Sequence, residues 1–201
     1  VALQRGKVTR VGYIVGAGDE VPEALRQVGY EVTLLDDGAL AGKPLAGFDA
    51  IVIGIRAYNT NLKLPQHRAK LMAYVAGGGT LVVQYNTSNR ISEVPAEIGP
   101  LPFEISRDRV TDEKAAVAFE PHAALKKPNA IDAADFDGWV QERGLYFAQK
   151  WDPAYATPLA MNDPNEAAKK GSLLIVKSGK GTFVYTGLAF FRQLPAGVPG
   201  A

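Results

Sequence analysis

Strand-like apolar runs alternate with helix-like segments through the first half of the chain, and that order admits few folds. VTRVGYIVG (Val8 to Gly16) reads as a first strand, VPEALRQVG (Val21 to Gly29) as a short helix ended by glycine, and YEVTLLD (Tyr30 to Asp36) as a second strand. FDAIVIG (Phe48 to Gly54) reads as a third strand. LPQHRAKLMAYVAGGG (Leu64 to Gly79) sets Leu71, Tyr74 and Val75 on one helical face before a glycine stop, and TLVVQY (Thr80 to Tyr85) is a fourth strand. Successive βαβ units imply a mostly parallel sheet covered on both faces.

The second half is less regular until GSLLIVKSGKGTFVYTGL (Gly171 to Leu188), two β-rich runs joined by Ser178-Gly179-Lys180-Gly181, a hairpin by composition. With 201 residues and 47% hydrophobic side chains, the chain is the size of one domain with a substantial core, so residues 1–201 read as a single unit. It starts at Val1 and stops just after a strand-like segment, which gives it the look of a fragment of a longer chain. A net charge of +1 supplies no global field for gathering nucleic acid, and no apolar run is long enough for membrane insertion. The absence of cysteine removes thiol nucleophiles, thiolate metal sites and disulfides, and leaves the compartment open.

In an open parallel sheet, ligands bind where loops converge at the carboxyl ends of the strands. The tips expected there are Ala17 to Glu20, Ile55 to Asn61, Gln84 to Arg90 and Gly187 to Gln193. Their amides offer donors and acceptors and their arginines offer directed forks, a set suited to sugar hydroxyls or carboxylates. The ligand-contact candidates are Arg56, Asn59, Gln84, Asn86, Asn89 and Arg90, with Gln141, Arg143 and Arg192 as a second tier.

Catalytic motifs are incomplete. VGAGDE (Val15 to Glu20) lacks the third glycine of a dinucleotide fingerprint and the Lys-Ser/Thr of a P-loop, and Asp19 and Glu20 fit a helix N-terminus better than a phosphate. Thr87 or Ser88 could be a nucleophile only with a base within hydrogen-bond reach, and the histidines, His67 and His122, read as surface or capping residues. Asp132, Asp135 and Asp137 do not meet the EF-hand pattern, so no metal and no cofactor is expected. The aromatic set Trp139, Tyr146, Phe147, Trp151 and Tyr155 reads as core first and as sugar-stacking faces second. Arg192 is expected to pair with Asp112 or Glu142.

The words GYIVGAGDEVPEALRQVGYEVTLL, FDAIVIGIRAYN, GGGTLVVQYNT, RVTDE, DFDGWVQERGLYFA and YTGLAFFRQLPAGVPGA carry a resemblance. Together they look like the C-terminal region of bacterial PIG-L (LmbE-like) deacetylase family proteins, a region similar in turn to the class I glutamine amidotransferase-like and ThuA-like fold. The resemblance implies a three-layer α/β/α, flavodoxin-like domain whose partner is an N-terminal zinc-dependent deacetylase domain of the parent chain acting on N-acetylglucosamine-type substrates. It does not bring that chemistry here: His122 stands between Pro121 and Ala123, not in a His-Pro-Asp-Asp motif, and the amidotransferase nucleophile position falls near Tyr85 or Asn86.

The expectation is therefore a pseudoenzyme domain, an accessory module that packs on the deacetylase domain or binds a carbohydrate-like ligand. Two alternatives stay open: a hydrolase of sugar-type substrates using Asp112, Glu113 or Glu142, and a purely structural domain. Whether the parent chain is exported to the periplasm or beyond is also open.

Overall fold

The computed structural model describes residues 6–88, 94 and 97–201. The first half contains β1 (Arg10–Ile14), α1 (Val21–Gln27), β2 (Glu31–Leu34), α2 (Asp37–Gly42), β3 (Ala50–Ile53), α3 (Ala57–Thr60), α4 (Arg68–Ala76) and β4 (Thr80–Gln84). The chain continues through the short strands β5 (Glu104–Ile105), β6 (Arg109–Val110), β7 (Val117–Phe119), β8 (Gly144–Leu145), β9 (Ala148–Gln149) and β10 (Leu159–Met161). It closes with β11 (Leu173–Ser178), β12 (Gly181–Thr186) and α5 (Phe190–Gln193).

Six strands form one mixed α/β sheet in the order β11-β12-β4-β3-β1-β2. All neighbours pair in parallel except β11 and β12, the hairpin expected at Gly171 to Leu188. Its turn places Gly179 at a φ of 58°, where a two-residue hairpin turn calls for glycine, and Lys180 N–H anchors the turn to the Ala76 carbonyl at 3.0 Å. The remaining strands pair two by two, β5 with β9, β6 with β8 and β7 with β10.

Strand alternation divides the core in two. Ile51, Ile53, Leu81, Val83, Phe183 and Tyr185 pack with Leu40 of α2 and with Leu71, Tyr74 and Val75 of α4. Tyr13 joins the second cluster with Val21 of α1, Phe136, Trp139 and Phe191, and Val52 packs on that side. Leu71, Leu81 and Ile51 are fully buried, each contributing roughly 1.5–3 kcal/mol of apolar transfer. The helix α2 was not anticipated from sequence; Asp36, read as the end of a strand, caps it instead by accepting Ala39 N–H at 2.7 Å. Among the described residues no helix is long and apolar enough to cross a membrane.

At the carboxyl ends of β1 and β3 the backbones meet directly. Gly54 N–H donates to the Ile14 carbonyl at 2.8 Å and Ala17 N–H to the Ile55 carbonyl at 2.9 Å. A Cβ on Gly54 would overlap the Asp19 carboxylate, and one on Gly16 would overlap the Ile55 carbonyl, so glycine is required at both.

Candidate functional site at the strand tips

The loops after β3 and β4 are laced together by side-chain amides. Asn86, wholly buried, accepts Tyr58 N–H at 3.0 Å through Oδ1 and donates through Nδ2 to the Gln84 carbonyl at 3.0 Å. Asn59 treats Thr87 as a strand neighbour would, donating to its carbonyl at 2.9 Å and accepting its N–H at 2.8 Å. These bonds satisfy main-chain groups that the ending strands leave unpaired. Gln84, also buried, donates through Nε2 to the Tyr13 phenol at 2.7 Å. That phenol in turn donates to the Asp19 carboxylate at 2.8 Å.

Asp19 further accepts N–H bonds from Gly16 and Val21, both at 3.2 Å. Burial pushes its carboxyl above the ordinary value, against the pull of Tyr13 and the main-chain donors, and burial raises the Tyr13 phenol as well. The chain Gln84, Tyr13, Asp19 thus ties β4, β1 and the start of α1 beneath the tips. Nothing in the sequence signalled it, because an acidic residue before a helix reads first as a dipole partner.

Above this lattice sits Tyr85. Its ring stacks on Tyr146, with centroids 5.7 Å apart and planes 9° from parallel, and meets Phe191 at 5.1 Å. Arg56, Arg192, Glu142 and Tyr146 all act electrostatically on its phenol, which burial pushes above the ordinary value while the two guanidinium charges pull it down. Arg192 Nε donates to Glu142 Oε1 at 3.1 Å, one of the two pairings expected from sequence, and its guanidinium lies 5.0 Å from the Phe191 ring centre.

Three of the residues around this platform hold left-handed backbone without being glycine: Arg56 (φ 56°), Gln141 (φ 71°) and Tyr146 (φ 52°). Such conformations cost about 1–2 kcal/mol each and persist only where the surroundings impose them. For Arg56 the constraint is its own N–H on the Tyr85 carbonyl at 2.8 Å. For Tyr146 it is the fully buried Tyr185 phenol, bonded to the Tyr146 carbonyl.

The candidates drawn from sequence therefore separate by environment. Arg56 and Gln141 are exposed, and Arg192 keeps about two fifths of its side chain accessible (41%). The amides of Asn59 and Asn86 are engaged by the protein itself, and Gln84 is engaged through Nε2, its buried Oε1 having no partner among the described residues. Arg143 is buried: Nε donates to the Ala115 carbonyl at 3.0 Å, Nη1 to the Phe136 carbonyl, and the guanidinium lies 5.4 Å from the Phe136 ring centre. Desolvation lowers its pKa, partly countered by Asp112 and Asp137. Asn89 and Arg90 lie outside the described residues.

Other chemistry is spread out. The Thr87 hydroxyl is buried and has no hydrogen-bond partner among the described residues. His122 Nδ1 accepts Ala124 N–H at 3.2 Å, and His67 lies 3.4 Å from Asp37, beside α2. Asp132 and Asp135 cap a short helical turn reciprocally, and among the described residues no group of three or more His, Asp or Glu side chains is placed to hold a metal ion. A groove of about 560 Å³ lies at the opposite end of the sheet, lined by Lys7, Phe48, Asp49, Lys70 and Tyr74. Three of its polar groups are already spoken for: Lys70 caps the Leu40 carbonyl, Asp49 holds Thr9 and Arg10, and Tyr74 donates to the Phe48 carbonyl.

No family model matches the chain, and no curated protein does. Solved structures share its fold. The cytoplasmic protein STM1381 from Salmonella typhimurium LT2 aligns with a TM-score of 0.56 at 13% identity, over 90% of this chain and 88% of that one. The cytoplasmic protein STM3548 from Salmonella typhimurium gives 0.55 at 11% identity, over 94% and 96%. A cold-adapted β-galactosidase from Rahnella sp. R3 gives 0.53 at 16% identity, covering 95% of this chain but 32% of its own, so the present chain spans about a third of that protein.

Proposed function

We propose that this chain is a non-catalytic domain of the three-layer α/β/α, flavodoxin-like and class I glutamine amidotransferase-like kind, an accessory module of a PIG-L/LmbE-like deacetylase family protein. The observation that carries the non-catalytic reading is the Thr87 hydroxyl: it sits buried at the corner after β4, next to the Tyr85–Asn86 position where an amidotransferase would present its nucleophile, and has no hydrogen-bond partner among the described residues. A hydroxyl with no base attached is not activated for attack. The neighbouring amides hold the loops, and the exposed Arg56 and Gln141 around the Tyr85–Tyr146 stack are left to face a ligand, which is the layout of a binding face.

The accessory role rests on the resemblance carried by DGWVQERGLYF and FFRQLPAGVPGA, and a segment of this fold also makes up about a third of a much longer β-galactosidase chain. A sugar hydrolase using carboxylates has weaker support, since Glu142 is held by Arg192 and Asp112 Oδ1 accepts Lys114 N–H at 2.8 Å. The test is to incubate the chain with glutamine and with an activated ester, following ammonia release and intact mass. The expected result is neither ammonia nor adduct. Steady ammonia release, or an acyl group on Thr87, overturns the proposal.

A further inference from the structure

Building on a binding rather than a catalytic tip, we propose that the Tyr85–Tyr146 platform and Arg56 form a site for an acidic sugar, a hexuronate-type ring bearing one carboxylate. Three features define that ligand class. Tyr146 is half-buried, and its ring is backed by Tyr85 in a parallel stack, so the platform is a flat, rigid π face. The apolar C–H face of a pyranose carries slight positive charge and is drawn to such a surface.

Second, the charge around Tyr85 is unbalanced. Arg56 and Arg192 contribute two guanidiniums against the single carboxylate of Glu142, and Glu142 is paired with Arg192. Arg56 is exposed and has no ion-pair partner among the described residues. Its backbone is pinned at a φ of 56° by the bond to the Tyr85 carbonyl, so the base of the side chain is fixed beside the platform. A planar guanidinium whose backbone root is fixed beside the platform is the group that recognises a carboxylate with two parallel hydrogen bonds. An amino sugar would bring an ammonium into the same positive field, which argues against it.

Third, hydroxyl recognition is at hand from groups that the lattice does not consume. Gln141 is exposed on the turn that carries Glu142, and Glu142 spends Oε1 on Arg192 and leaves Oε2 to accept from a hydroxyl. Asn59, Gln84 and Asn86, engaged internally, act as positioning residues for Arg56 and Tyr85.

The decisive experiment is calorimetric titration of the whole chain with D-glucuronate, D-glucose, D-glucosamine and acetate, repeated on Arg56→Asn. Asparagine tolerates left-handed backbone, so this variant removes the fork without straining the turn. Glucuronate is expected to bind at least about tenfold more tightly than the other three, and Arg56→Asn to erase about tenfold of that affinity at an unchanged melting temperature. Binding of glucuronate no tighter than that of glucose, glucosamine or acetate, no binding at all, or full affinity in Arg56→Asn would each overturn the assignment. Ammonia release from glutamine would instead sink the non-catalytic reading and leave these affinities untouched, so the two failures are distinguishable.

Discussion

The Tyr185 phenol donates to the main-chain carbonyl of Tyr146 at 2.6 Å, joining the end of β12 to a residue in left-handed conformation. Tyr185 is completely buried within β12, so a side chain rooted in the central sheet fixes the aromatic platform. The position of Tyr146 is thus a property of the sheet, not of its own loop.

Tyr185→Phe keeps the ring and deletes that donor, leaving a buried carbonyl unpaired. The expected loss is about 1–3 kcal/mol of unfolding free energy, read from urea denaturation, together with faster hydrogen exchange around Tyr146.

Glycine substitutions separate close approach from mere flexibility. Gly54→Ala drives a methyl into the Asp19 carboxylate and the Gly16 backbone, and is expected to cost about 3 kcal/mol or more. Gly47→Ala meets open space, has no positive φ, and is expected to stay within about 0.5 kcal/mol of the parent. Thermal unfolding of the two variants side by side checks the contrast.

Arg143 is a strut for residues 115–139. Replacing it with lysine removes the fork that bridges the Ala115 and Phe136 carbonyls and the stacking on Phe136 and Trp139. Arg143→Lys is expected to lose about 2–3 kcal/mol in urea denaturation, with ligand contacts at Arg56 unaffected.

Stability should depend on pH through Asp49. Main-chain N–H bonds from Arg10 and Thr9 hold its carboxyl below the ordinary value of 3.8, with the Arg10 guanidinium adding to them. A folded pKa below the unfolded one means that the stabilisation is complete above the unfolded value and disappears as pH falls through the folded value. Asp49→Asn is therefore expected to be less stable than the parent by about 1 kcal/mol near pH 7, a figure reduced for partial exposure, with the gap closing as pH falls below the ordinary carboxylate value and through the lowered folded one. Urea midpoints measured from pH 2.5 to 7 give the curve.

What could be read from the sequence was whatever repeats with a period. The runs that became β1, β2, β3 and β4 are apolar strands punctuated by glycine, and the Ser178-to-Gly181 turn announces the last hairpin through composition. The strands between residues 104 and 161 are only two or three residues long, too short to show alternation. α2 hid in DGALAG, whose two glycines argue against a helix that Asp36 nonetheless caps. At the tips, sequence located the polar residues but not their partners. An amide facing a ligand and an amide facing its own backbone have the same letter, and Asn86 and Arg56, equally plausible as contacts, differ only in whether the fold has already used them.

Gln193 grips Val140 at both main-chain groups, accepting its N–H at 3.0 Å and donating to its carbonyl at 2.9 Å. Arg192 and Glu142 flank that grip and are bonded to each other, so the final helix and the turn at 140–142 are clasped at two adjacent points. Displacing the turn at 140–142 must therefore displace the final helix as well, and the two segments move as one piece.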